Sequence, residues 1–234
     1  MHAELLAAAR CGKYDWVHWG LPCKTWCLQA RGAGTRRALA RPRSHQRGPP
    51  APTGGRDGLE PTEDEKLANR QCEEMCELAR AVLASGGHVS IENPWQSVLW
   101  QAPPLLEVCA DWQMYSVRLD LCAYGLKFQN LPIMKPTVLL SSAPELRTLE
   151  KTCVCEPIVP KGPKHGNCTV RSGEYPPELC EAFAKAVLAA AELWSTPEKR
   201  RANGPRRRPA GLDDPAEKDL QNSRKALLQA LSVP

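Results

Sequence analysis

A short apolar strand, a long helix and a second short apolar strand, in that order, constrain this chain more than any other feature. Tyr14-Asp15-Trp16-Val17-His18-Trp19 reads as a strand ending at Gly20, because all but one of its residues are aromatic, β-branched or His. Thr62-Glu63-Asp64-Glu65 is a capping box, in which hydroxyl and carboxylate satisfy the first amides of a helix. Behind it Leu67, Met75, Leu78, Ala79, Val82 and Leu83 recur at helical spacing, and Gly86-Gly87 stops the run. His88-Val89-Ser90-Ile91 is the second strand. A helix joined by a tight turn to a short apolar strand predicts a right-handed β-α-β crossover and a parallel sheet. The fold expected is α/β: a Rossmann-like, three-layer, mostly parallel and partial sheet of four or five strands.

In such sheets reactive residues collect on loops at the carboxyl ends of strands. Leu21-Pro22-Cys23 leaves the first strand and Glu92-Asn93-Pro94 leaves the second. A thiol beside a carboxylic acid can attack an electrophilic ring carbon while the acid protonates a ring nitrogen. Pro22 fixes the backbone before the nucleophile, and Asn93 can hydrogen-bond across to that loop. The bland alternative makes Cys23 a buried thiol and Glu92 a cap for the Trp95–Trp100 turn. His18, four residues before Cys23, is either an activator of the thiol or a core histidine.

Taken together, Asp15–Cys23 with Lys24-Thr25-Trp26-Cys27, followed by Ile91-Glu92-Asn93-Pro94, resembles motifs IV and VI of the DNA cytosine-5 methyltransferases. Trp26 stands at the family's aromatic position, Cys27 at its Ser, and Glu-Asn-Pro at its Glu-Asn-Val. The resemblance implies that Cys23 adds to cytosine C6, Glu92 protonates N3 and Asn93 braces the Pro22-Cys23 loop. It also implies a target base flipped out of DNA, S-adenosylmethionine as cofactor, and a basic loop closing over DNA after the Pro-Cys. Arg31, Arg36, Arg37, Arg41 and Arg43 occupy that loop and are the expected phosphate contacts; Pro22 and Trp26 are the expected neighbours of the base.

Two family features are missing from the sequence. No strand is followed by a Gly-rich turn for the methyl donor, and only fourteen residues precede the Asp15 strand. The later Gln-x-Arg-x-Arg motif is absent as well. The expectation is therefore a divergent or incomplete methyltransferase-like domain, its donor half supplied by another polypeptide or by a missing N-terminal half. The competing readings are a non-catalytic nucleic-acid-binding or scaffolding fragment of a larger polyprotein, and a thiol enzyme acting on another nucleotide. A Cys-x5-Arg phosphate cradle fails, because Gln29 stands where the Arg must be. Cys23 and Cys27 lack thioredoxin-like spacing.

Charge supports a polyanionic partner. Lys24 to Arg56 holds eight Lys and Arg and no acid, within a net charge of +5. Residues 31–61 read as a disordered basic loop, rich in Pro, Gly and Ala. Eleven cysteines without a secretory signal, and no apolar run of membrane length, place the chain inside the cell, with the nucleus as one destination. Further elements are expected as helices at 3–10, 103–110 and 144–150, strands at 115–121 and 137–140, and a helix opened by Pro176-Pro177. That last helix carries Leu179, Phe183, Val187, Leu188 and Trp194 on one face.

The methyltransferase-like domain spans 1–194, followed by a basic linker at 195–213 and a C-terminal helix at 214–232. Within the domain, 152–174 is a Cys/His/Pro-rich loop. There Cys153, Cys155, His165 and Cys168 are either zinc ligands or ordinary loop thiols, the single-residue spacing of the first pair being short for a shared metal. Cys72 and Cys76, one helical turn apart, read as core or surface thiols.

Overall fold

The computed structural model describes residues 1–26, 63–128, 131–133, 135–153 and 174–194, with 196, 198, 202 and 204–207. The loop at 31–61, the C-terminal helix at 214–232 and most of 152–174 lie outside the described residues.

Helix α1 (His2–Arg10) precedes strand β1 (Trp16–Gly20), and α2 (Glu63–Ala84) leads into β2 (His88–Pro94). The first turn of α2 carries Glu63, Asp64 and Glu65, which suit the positive end of the helix dipole. Its far end stops at Gly86, whose φ of 89° favours glycine. Gly87 is required for a different reason: a Cβ there would lie 2.3 Å from the carbonyl oxygen of Tyr14. The backbone has to pass that close, because the amide of His88 donates to Asp15 O at 2.9 Å and starts the β1–β2 pairing.

After β2 come a 3-10 turn (Val98–Gln101), α3 (Pro103–Asp111), β3 (Tyr115–Asp120), the small ribbon β4 (Lys127–Phe128) with β5 (Leu131–Pro132), and β6 (Pro136–Ser141). The 144–150 segment is a 3-10 helix, Pro144–Leu149, and α4 spans Pro177–Leu193.

The main sheet has the order β1-β2-β6-β3. The β1–β2 pair is parallel, with Trp16 opposite His88 and Gly20 opposite Glu92. Both pairings of β6 are antiparallel. The α/β class therefore holds, but the sheet is mixed where mostly parallel pairing was expected. The physical reason lies in the connection from β3 to β6. It is made by a 3-10 turn and the β4–β5 ribbon, and without a helix to carry the chain back along the sheet, the next strand must run in reverse. The ribbon itself was not anticipated.

Helices cover both faces. Leu6, Cys72, Met75, Cys76, Ala79, Val82, Leu83, Leu105 and Val108 from α1, α2 and α3 bury one face with Val89, Ile91, Val138 and Leu140. On the other face, Leu179 and Ala186 of α4 pack with Val117, Leu119 and Leu139. The alternation in β6 (Val138 and Leu140 one way, Leu139 the other) is the two-residue period of a strand buried on both sides.

The expected apolar stripes need trimming. Leu67 is 43% exposed and Leu188 66% exposed, so neither belongs to the core. Part of the presumed linker is docked. The Gln113 amide donates to Arg206 O at 2.9 Å, and the Arg207 guanidinium lies 4.9 Å from the Trp112 ring centre. A cation over an indole face repays the ordering of that segment.

Candidate functional site

Strands β2 and β3 both run antiparallel to β6, and β1 runs parallel to β2. The exits of β1, β2 and β3 and the entry of β6 therefore meet at one end of the sheet. Gly20, Glu92, Pro94, Asp120 and Pro136 gather there, with Lys135 immediately before β6. Cys23 lies on the turn leaving β1, and Glu92 lies inside the adjacent parallel strand β2, which runs on to Pro94, past its expected end at Ile91.

The Cys23 turn is built by its neighbours. Pro22, at φ −53° and ψ 115°, redirects the chain out of β1, and Cys23–Thr25 form a single 3-10 turn closed by Trp26 N donating to Cys23 O at 3.0 Å. Beneath it Trp26 is 2% exposed, and its carbonyl accepts from Val98 N at 2.8 Å. Trp26 thus anchors the turn in the core. Cys23 is half-buried and carries no disulfide. From the neighbouring strand, Asn93 Nδ2 donates to Leu21 O at 2.9 Å and ties β2 to this turn.

Glu92 is 8% exposed. The hydroxyl of Tyr175 donates to its Oε2 at 2.9 Å, while Oε1 is buried without a hydrogen-bond partner. Burial pushes the carboxyl above its ordinary range, against the opposing pull of Lys135 and the Tyr175 hydrogen bond. Asn93 Oδ1 and Thr25 Oγ1 are also buried without partners. Glu92 and Asn93 alternate across the sheet, Glu92 opposite Leu139 on the Tyr175 side and Asn93 opposite Val138 on the Trp26 side, so only the free Glu92 oxygen lies on the face of the candidate acid. A buried carboxyl with raised proton affinity and one oxygen uncommitted is chemically suited to give a proton to a nitrogen base.

Tyr175 and Lys135 escaped sequence reasoning. Tyr175 directly precedes the Pro176-Pro177 signal for α4, yet nothing local in the sequence pairs it with residue 92. The Nδ1 of His18 lies 2.9 Å from Ser90 Oγ, and that hydroxyl accepts from Trp16 Nε1 at 3.0 Å. Its ring lies 5.0 Å from that of Phe183, centre to centre.

Arg31, Arg36, Arg37, Arg41 and Arg43 lie outside the described residues, as do Cys155, His165 and Cys168. Cys153 is disulfide-bonded. Among the described residues no group of three or more His, Cys, Asp or Glu is placed to hold a metal ion. Cys72 and Cys76 are core residues, and the hydrogen bond the Cys76 thiol gives Cys72, with burial, pushes that thiol up. Among the described residues no helix is long and apolar enough to cross a membrane. No protein-family model, curated protein or solved structure matches this chain.

Proposed function

We propose that the Cys23–Glu92 corner binds a cytosine base taken out of DNA and adds to it covalently, as the resemblance to the DNA cytosine-5 methyltransferases implies. On this reading the mixed sheet is a divergent part of a Rossmann-like domain. The observation that carries it is the state of Glu92: a buried carboxyl with a raised proton affinity, one oxygen held and the other uncommitted, on the strand next to a half-buried thiol. The Cys23 thiol loses its proton to solvent and its sulfur bonds to C6. The C5=C6 electron pair moves to C4–C5, and the C4=N3 pair takes the proton of Glu92 at N3. Asn93 holds the turn from which the sulfur attacks. Collapse of the adduct returns the proton to Glu92 and the thiolate to Cys23.

The described residues do not fit S-adenosylmethionine. The β1 exit offers a single glycine followed by Leu21-Pro22, and Pro22 has no amide to give; β2 itself ends in Glu-Asn-Pro, without glycine. No step is therefore assigned to the donor, whose binding half belongs to another polypeptide or segment. The competing reading, a DNA-binding module without chemistry, draws on the acid-free segment from Lys24 to Arg56 and its eight Lys and Arg. The two part on one experiment: a duplex carrying 2-pyrimidinone at cytosine positions, followed by denaturing electrophoresis. The proposal requires a covalent complex that Cys23→Ser abolishes. DNA binding with no complex, or a complex that survives Cys23→Ser, removes it.

A further inference from the structure

The phenol of Tyr175 reaches Glu92 from a separate part of the chain. Tyr175 sits directly before Pro176, the N-cap of α4, whose φ of −59° fixes the backbone there. Helix α4 is itself anchored at both ends. Leu179 is 5% exposed near its start, and Trp194, 5% exposed at its C-cap, stacks on the buried His88 with ring centres 4.0 Å apart. The approach is also shaped from beneath. Gly20 stands opposite Glu92 in the β1–β2 register, and a Cβ at that position would lie 2.9 Å from the Tyr175 hydroxyl and 3.7 Å from Glu92 Oε2. A methyl there would have to push the phenol hydroxyl aside.

An O–H that donates to Oε2 makes that oxygen the acceptor of the carboxyl group. A proton carried by Glu92 then belongs on the other oxygen, Oε1, which is buried and unpartnered. We propose that Tyr175 is a positioning residue for Glu92: it directs the acid's transferable proton to Oε1, toward the ring nitrogen of a bound base, and the absence of a side chain at Gly20 is what admits it. The inference rests on the reading of Glu92 as the acid. It adds that the α4 entrance, which the Pro-Cys and Glu-Asn-Pro motifs do not include, is part of the site. The groups that bear on the Glu92–Tyr175 pair are Lys135 from the segment before β6, Cys180 on α4, and His18 on β1, whose ring lies 6.3 Å from that of Tyr175.

The test reads the Glu92 carboxyl by carbon NMR on DNA-free protein labelled at glutamate, with Glu92→Gln assigning the signal, and in parallel the pH dependence of adduct formation on the 2-pyrimidinone duplex. Tyr175→Phe removes a hydrogen bond that favours the ionised carboxylate. The Glu92 titration is therefore expected to move to higher pH, and the alkaline limb of adduct formation to move with it. The rate is expected to fall about tenfold, the scale of one neutral hydrogen bond.

Gly20→Ala should reproduce both shifts in the wild-type background and add little in Tyr175→Phe, where the clashing hydroxyl is gone. A Glu92 titration unmoved by Tyr175→Phe in a protein with native melting overturns the inference. So does a titration that moves while the adduct's pH profile stays fixed. A wild-type protein that forms no adduct removes the covalent reading instead, because the titration is measured without DNA.

Discussion

Asn93 Nδ2 donates to the carbonyl oxygen of Leu21 at 2.9 Å, and this bond holds together the exits of two strands separated by 72 positions in the chain. The side chain is fully buried and the bond spans β2 and the turn that carries Cys23. Position of the thiol thus depends on a residue adjacent to the candidate acid.

Asn93→Ala deletes the donor and leaves Leu21 O to find water, at an expected cost of about 1–3 kcal/mol. Asn93→Asp costs more, because its carboxylate faces the carbonyl with no proton to give at neutral pH. Denaturant midpoints measure the stability, and the rate at which iodoacetamide modifies Cys23 reports the loosened turn. Faster modification in both variants is expected; an unchanged rate would separate the bond from the placement of the thiol.

Glu92 carries a pH signature whose sign is fixed by its environment. Its folded-state proton affinity is raised by burial, so its contribution is fully present below the unfolded value near pH ~4.3 and is lost as pH rises through the folded value. Glu92→Gln keeps an acceptor for Tyr175 and no longer ionises. The variant should therefore melt higher than wild type at pH 8, with the gap closing toward pH ~4. On the 2-pyrimidinone duplex the same substitution should slow adduct formation by roughly 10²–10⁴-fold. Thermal melts across pH and trapping rates check the two halves separately.

Much of this architecture was legible because it is written locally. The β1-α2-β2 order, the glycine stop and the two strand-end motifs follow from period and turn chemistry within a few residues. The direction of β6 was not legible in that way, since it is set by a connection whose ribbon strands, Lys127–Phe128 and Leu131–Pro132, are too short to show alternation. The burial of Trp26 was not legible, because an aromatic after Pro-Cys looks the same in sequence whether it faces a base or the core. Tyr175 was invisible because its partner is 83 positions away and no periodicity links them.

The two glycines between α2 and β2 serve different ends and should respond differently. Gly86→Ala meets open space and bears only the cost of its positive φ, roughly 1–2 kcal/mol. Gly87→Ala places a methyl 2.3 Å from the Tyr14 carbonyl, backbone against backbone, and is expected to lose at least 1–3 kcal/mol by shifting the start of β1. Urea unfolding of both variants ranks them; equal effects would contradict the close approach of the two segments.

The basic run should act through phosphate alone. Replacing Arg31, Arg36, Arg37, Arg41 and Arg43 with Gln is expected to weaken DNA binding for all sequences alike. Each lost phosphate contact should flatten the dependence of log K on log salt by about 0.9. Cys23→Ser should leave that slope untouched. Fluorescence titrations over a range of salt concentrations measure both, and a slope unaffected by the five replacements would place the DNA contacts elsewhere.

The central claim is that the sulfur of residue 23 and the carboxyl of residue 92 line one cavity. Carbon NMR of the labelled Glu92 carboxyl, recorded before and after alkylation of the cysteines, tests this without any substrate. In wild type the Glu92 signal and its titration should shift once Cys23 is modified, and in Cys23→Ser they should not. Complete modification of Cys23 with an unmoved Glu92 titration would contradict the account.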